Sequence, residues 1–371
     1  MSVPELLEEA KVKEEKLRNL LTSLNLDAIV LTRRRNVSWL TCGGEYHILH
    51  STDESVVALV ITKEEKLLFT TNNEIDRILD EEPISQLGYR TVVHKWYEKS
   101  PLDAALEYLK GVSSIGTDVP VPGCTCIEPH LRELRLVLTT YEVGRLKELG
   151  ATSAKLLSSV LRDLRRGTTE QELASELLHE FARYGIRLPV ILIAADDRAF
   201  KYRHPLPKDR KINEHVIVSI AAEKWGLHVT LTRLVHFGSL PAELRKRYEA
   251  VAKVDATYLS MTRPGTKACD ALRRGIEVFS SLGYPDEWER HTQGGWISYL
   301  PREIVIDLRT ERCFGEYEAV SWNPTITGTK VEDTFIVTSE GLINVTYDSE
   351  WPMLTVEING YRFERPDILV R

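Results

Sequence analysis

The stretch HVIVSIAAEKWGLHVTLTR, residues 215–233, decides how the second half of this chain is read. Val216, Val218 and Ile220 alternate with Ile217, Ser219 and Ala221, which is the two-residue period of a β-strand. Lys224-Trp225-Gly226 reads as a turn, and a second strand runs from Leu227. On that strand His228, Thr230 and Thr232 share one face, with Leu227, Val229 and Leu231 on the other. The pattern predicts a hairpin that carries a row of uncharged polar side chains in apolar surroundings. Such a row is either the wall of a polar pocket or a solvent-facing strand of ordinary β-prone threonines.

Around the hairpin the second half alternates long helices with strands. Apolar residues recur at helical spacing from Tyr141 to Leu164, with Val143, Leu146, Leu149, Leu156 and Leu157 on one stripe. Thr169 is placed to cap a helix that Gly185 closes. Further helices are predicted from Pro241 to about Ser260 and after Arg263-Pro264-Gly265-Thr266, and the tail from Val320 is rich in strand signals. Helix pairs against an antiparallel sheet make this half α+β. The first half opens on an amphipathic helix over residues 5–23. Short strands at 27–31, 56–61, 66–70, 91–93 and 114–118 then alternate with helices at 74–81 and 102–109, an α/β arrangement. Two domains are expected, 1–138 and 139–371.

The 371 residues are 43% hydrophobic and 28% charged, enough for a large core. A net charge of −7 leaves no excess of Lys and Arg to neutralise phosphates, which argues against a nucleic-acid partner. Arg33-Arg34-Arg35 is too short a cluster to alter that. No apolar run approaches a membrane span, and the first helix is too charged for a signal peptide. The five cysteines, at 42, 124, 126, 269 and 313, read as reduced thiols. A cytoplasmic protein is expected.

The order of several short motifs resembles the creatinase/aminopeptidase P (pita-bread) family. They are Asn36-Val37-Ser38-Trp39-Leu40-Thr41, Tyr141-Glu142-Val143, Arg203-His204-Pro205, and the hairpin ending in Thr232-Arg233. Arg263-Pro264-Gly265-Thr266 and Val331-Glu332-Asp333-Thr334 before Ile336-Val337-Thr338 complete the set. The resemblance implies a pita-bread C-terminal domain preceded by a creatinase-type N-terminal domain, α+β overall. It also implies a homodimer, with Arg35, Tyr46 and His47 in the segment that would reach a partner's site.

Peptidases of the family hold two divalent ions with Asp, Asp, His, Glu and Glu, a density of negative charge that two-metal hydrolysis requires. Aligned on the motifs, Ser219 and Thr230 fall where the two Asp belong. Eleven residues apart, they are expected to face each other across the hairpin. No Asp occurs between 210 and 254, so no small shift restores the pair. The family His aligns best with Gln293, and less well with His291. The first Glu becomes Asn323, before Pro324, and only the last survives, as Glu332. Hydroxyls and amides are poor ligands for a hard dication pair. The expectation is therefore no metal and no other cofactor.

Creatinase, a metal-free relative, implies roles for what remains. His204 in Arg203-His204-Pro205 takes the place of its catalytic acid/base, and imidazole suits proton transfer near neutrality. Arg302 in Tyr299-Leu300-Pro301-Arg302-Glu303 matches the arginine that grips a substrate carboxylate; a plain Arg302–Glu303 pair is the other reading. Glu332 would orient the reacting group, or would simply be satisfied by Arg233 or Lys330. Ser219, Thr230, Thr232, His291, Gln293, Tyr299 and Asn323 would line the pocket. Thr232 and Asn323 stand where creatinase keeps two Glu, which argues against creatine as substrate.

Three functions follow. One is a metal-independent hydrolase or lyase acting on a small carboxylate-bearing, amino-acid-derived molecule. Another is a Xaa-Pro peptidase with an altered metal site, acting on a short peptide. The third is a binding protein without turnover.

Overall fold

The computed structural model describes residues 2–371. It divides into two compact units: one runs to Tyr141 and includes Trp225–Leu227, and the other comprises Glu142–Lys224 and His228–Arg371.

The first unit is built on a six-stranded mixed sheet. Its strands, in spatial order, are Arg90–His94, Lys66–Thr71, Glu54–Thr62, Ala28–Arg33, Ile115–Thr117 and Thr125–Cys126. Ala28, Val30, Ala58, Val60, Leu67 and Phe69 pack one face of it against Ala104, Ala105 and Leu109. Ser100 starts the helix Pro101–Tyr108 with a capping box to Asp103, two reciprocal hydrogen bonds that satisfy otherwise orphaned amide groups. Arg34–Leu40 is a short helix, and its Asn36 is buried among Asp118, Glu128 and Arg135. Arg35 is held by Asp53 and Glu128, and Tyr46 is buried.

In the second unit a four-stranded sheet runs in the order Leu369–Val370, Leu227–His236, His215–Lys224, Arg187–Ala195. A five-stranded sheet runs Ile304–Val305, Gly294–Ile297, Ala319–Trp322, Asp333–Thr338, Gly341–Asn344. Helices Thr140–Asp163, Glu170–Ala182, Ala242–Met261 and Ala268–Ser281 accompany them. The α+β class and the pita-bread arrangement are thus observed. Thr169 does cap its helix, accepting from the Glu172 amide, and Gly185 sits at φ 65°, the left-handed conformation that lets a helix stop. Among the described residues no helix is long and apolar enough to cross a membrane.

The hairpin exists, with strands His215–Lys224 and Leu227–His236. Its turn is only Trp225-Gly226, both at positive φ (56° and 75°), as the two-residue turn that matches strand twist demands. That shortens the predicted turn by one residue and shifts the register. Ser219 faces Thr232, with 2.7 Å between their hydroxyls, and not Thr230 as the sequence alignment suggested. Every residue of Leu227–His236 is buried, which eliminates the solvent-facing alternative.

Candidate functional site

The segment joining the strands Thr329–Lys330 and Asp333–Thr338 organises the centre of the second unit. Glu332 and Asp333 are neighbours, so their side chains leave on opposite sides. Asp333 enters a buried network: Arg233 Nη1 lies 3.0 Å from its Oδ1, and Arg365 Nη1 2.9 Å from its Oδ2. Arg365 also reaches Asp255 at 2.6 Å. With Arg233 committed to Asp333 and to the Thr346 carbonyl, it does not serve Glu332.

Glu332 is 3% exposed and is held by two cations. Lys330 Nζ lies 2.8 Å from its Oε2 and Arg302 Nη2 3.0 Å from its Oε1. Lys330 ends the short strand Thr329–Lys330; two residues on, Glu332 lies on the same side. Burial works against the Glu332 charge, but Lys330 and Arg302 outweigh it and hold the carboxyl down at about 2. Arg302 therefore pairs with Glu332 rather than with Glu303.

The hairpin threonines complete a closed set of bonds. Thr232 Oγ1 donates to Glu332 Oε2 at 2.8 Å, so its hydroxyl proton is spent and Ser219 is the donor to Thr232. Thr230 Oγ1 donates to Ser321 Oγ at 2.7 Å, and Arg302 Nη1 lies 3.4 Å from the same Thr230 oxygen. Gln293 is consumed locally: its amide nitrogen donates to the carbonyls of Trp288 and His291, and its oxygen accepts from Tyr258. Tyr299 is buried, with its hydroxyl 2.6 Å from Glu142, and is occupied there rather than in a pocket. Asn323 is 6% exposed and its Oδ1 has no partner.

A pair of histidines stands beside this cluster. His204 Nε2 and His291 Nε2 are 3.2 Å apart, with ring centres at 4.9 Å. One nitrogen must carry the proton and the other a lone pair. His204 is exposed; partial burial and then Lys330 push its affinity for a second proton down, against a smaller opposing effect of Glu332. His291 is 7% exposed, and burial first, then Lys330 and His204, drive it down to about 3. Both rings are thus neutral at pH 7. His291 Nδ1 is buried without a partner. Lys330 and Ser219 line a cavity of about 20 Å³ together with Arg203, Thr325 and Thr329, room for about one water. His291 also borders an open cavity of about 540 Å³ whose other walls include Trp288, Leu272 and Val305.

Hydrogen bonds and ion pairs thus join Arg302, Glu332, Ser219, Thr230 and Thr232 in one polar cluster, while His204 and His291 contact each other and feel the charges of Lys330 and Glu332. Tyr299 gives its hydroxyl to Glu142, and Gln293, with its amide bonded locally, lines the same open cavity as His291. Lys330 is the residue whose weight the sequence understated: it appeared only as one candidate neighbour of Glu332. Among the described residues no group of three or more His, Cys, Asp or Glu side chains is arranged to hold a metal ion.

Two family models match the chain: metallopeptidase family M24 over residues 144–339, and the creatinase/prolidase N-terminal domain over residues 14–130. An uncharacterized peptidase of Staphylococcus epidermidis is 21% identical over 365 residues, covering 89% of this chain and 97% of its own. The prolidase from Pyrococcus horikoshii OT3 superposes with a TM-score of 0.77 at 17% identity, covering 90% of this chain and 98% of its own. The N-terminal domain of FACT complex subunit SPT16 from Cicer arietinum (chickpea) superposes with a TM-score of 0.71 at 12% identity, covering 92% of this chain and 96% of its own. At these identities the structural likenesses speak to the fold.

Proposed function

The chain belongs to metallopeptidase family M24, and within that family we propose that it is a metal-independent hydrolase or lyase. In this reading His204 and His291 carry out acid–base chemistry on a small carboxylate-bearing substrate. The observation that carries the reading is the pair of ammonium and guanidinium groups bonded to the two oxygens of Glu332.

A two-ion centre, which family membership implies, does not fit these side chains. Ser219, Thr230 and Asn323 bring no charge, and the charge of Glu332 is already neutralised by Lys330 and Arg302. Two unit charges about 4 Å apart at an effective dielectric near 20 interact by about 4 kcal/mol, and a dication doubles that. An ion placed at Glu332 would meet that repulsion from two fixed cations.

The chemistry left to the chain is proton transfer and anion recognition. His204, neutral and exposed, would accept a proton from substrate or water. His291 is placed to share that proton across the 3.2 Å contact. Lys330 gives one donor to Glu332 and keeps two; beside the histidines and a small cavity, it suits a substrate carboxylate better than Arg302, which is tied down. Glu332 positions both cations. The reading takes the protein as a cytoplasmic homodimer.

A panel of small amino-acid-derived carboxylates, assayed after exhaustive chelation, tests it. Turnover should persist in EDTA and fall at least ~100-fold in His204→Ala, within the usual range for a general acid/base. Activity that disappears with EDTA defeats the proposal and favours an altered Xaa-Pro peptidase. A second reading, ligand binding without turnover, is favoured by the mutual satisfaction of Ser219, Thr232, Glu332 and Arg302. Saturable binding with no product would select it.

A further inference from the structure

In the first unit, residues 46–53 run as a loop between the helix Arg34–Leu40 and the strand Glu54–Thr62, and the loop is pinned at both ends. At its start the carbonyl oxygen of the buried Tyr46 accepts from the Val56 amide at 2.8 Å and from the Ser55 hydroxyl at 3.0 Å. At its end the Asp53 carbonyl accepts from the Arg34 amide at 2.8 Å. Two histidines three positions apart stand within this frame, and their rings meet. His47 Nε2 and His50 Nδ1 are 3.3 Å apart, with ring centres at 5.1 Å and planes inclined by 70°.

That contact has the dimensions of a chelate. Two imidazoles on one ion at about 2.0–2.1 Å, with a tetrahedral angle between them, hold their donor atoms about 3.3–3.4 Å apart and their ring centres about 5.2 Å apart. A straight N–H···N bond of the observed length would keep the ring centres at about 5.6 Å. The pair is bent from that line, as two donors that converge on one point must be. Residues 46–53 include no Lys or Arg, and Asp53 is their one acid. The other close pair, His204 and His291, lies under the charge of Lys330, which opposes a cation there.

We propose that His47 and His50 chelate a divalent transition-metal ion through His47 Nε2 and His50 Nδ1. Neutral imidazole is a good donor for ions such as Zn²⁺, Ni²⁺ and Cu²⁺. In the closed pair one facing nitrogen carries the proton and the other accepts it. To bind, the donor ring passes its proton to its own second nitrogen, so both facing atoms offer lone pairs and the ion takes the place of the shared proton. Only two side chains supply donors, so water completes the coordination and the ion is exchangeable. The clip also fixes Ile48 and Leu49, the two residues between the histidines, which are 61% and 59% exposed.

The test uses the full chain without an affinity tag. Titration calorimetry with Ni²⁺ should show a saturable site that His204→Ala leaves unchanged. His50→Ala should weaken it at least ~10-fold, the smallest loss expected even of a residue that only supports a ligand. His50 is exposed, so its replacement does not reach the core, and His47→Ala should act alike. The unsubstituted pair is also probed directly: one equivalent of Cu²⁺ should give an electron paramagnetic resonance spectrum split by two imidazole nitrogens, reduced to one in His50→Ala. No saturable Ni²⁺ binding, or binding of the same strength in His50→Ala, overturns the proposal. Binding lost in His204→Ala would put the ion on the other histidine pair and overturns it as well.

Discussion

Lys330 Nζ sits 2.8 Å from Glu332 Oε2, two residues along the chain and on the same side of the backbone, while Arg302 closes on the other carboxylate oxygen at 3.0 Å. Glu332 is the one acidic group left of the set that the family resemblance implies. It is held by cations of the chain itself.

Removing that carboxylate should be costly. Glu332→Gln leaves Lys330 and Arg302 facing each other without a counter-charge, which should destabilise the fold by about 3–5 kcal/mol in urea unfolding. Adding Lys330→Met should recover part of the loss. A double variant no more stable than the single one would show that the two groups are not coupled.

The hydroxyl relay is a separate contribution. Thr232→Val keeps the shape but removes the proton given to Glu332 and the oxygen that receives Ser219. A loss of about 1–3 kcal/mol is expected. Ser219→Ala on top of it should add less than it does alone, since both act through one bond.

Acid should weaken the protein through the histidine pair. His291 has a folded value of about 3, below the ordinary imidazole value of 6.5, so the unfolded chain takes up the proton first. Its contribution is complete above about pH 6.5 and is lost as the pH falls toward 3. His204 is shifted in the same direction. Stability measured from pH 7 to pH 4 should fall, and His291→Gln should flatten the slope. A wild-type stability that rises on acidification would contradict a neutral pair.

Hard dications should find no foothold at Glu332. An excess of Mn²⁺ should raise the thermal midpoint of the wild-type protein no more than that of Glu332→Gln, because an ion bound through Glu332 in the folded state alone would raise it further. A clear upward shift that is lost in Glu332→Gln would place an ion in the cluster and defeat the metal-independent reading.

Much of the architecture was legible because it rests on local rules. The helix at 169–184 announces itself by Thr169, Glu172 and Gly185, each acting through bonds within its own turn. The hairpin was legible from its alternation, but not its register. Trp225, an unusual residue for positive φ, hid a two-residue turn, and one residue of turn length moved the partner of Ser219 from Thr230 to Thr232.

The depletion of acidic ligands could be read from the chain alone, since it depends only on which residue types occupy a handful of positions. What fills the resulting space could not. His204 meets His291 across 87 positions, and Arg302 meets Glu332 across 30. Whether a guanidinium grips a substrate or a neighbour depends on which carboxylate lies within about 3 Å of it. Sequence spacing carries no such distance; only the packing of strands from separate parts of the chain decides it.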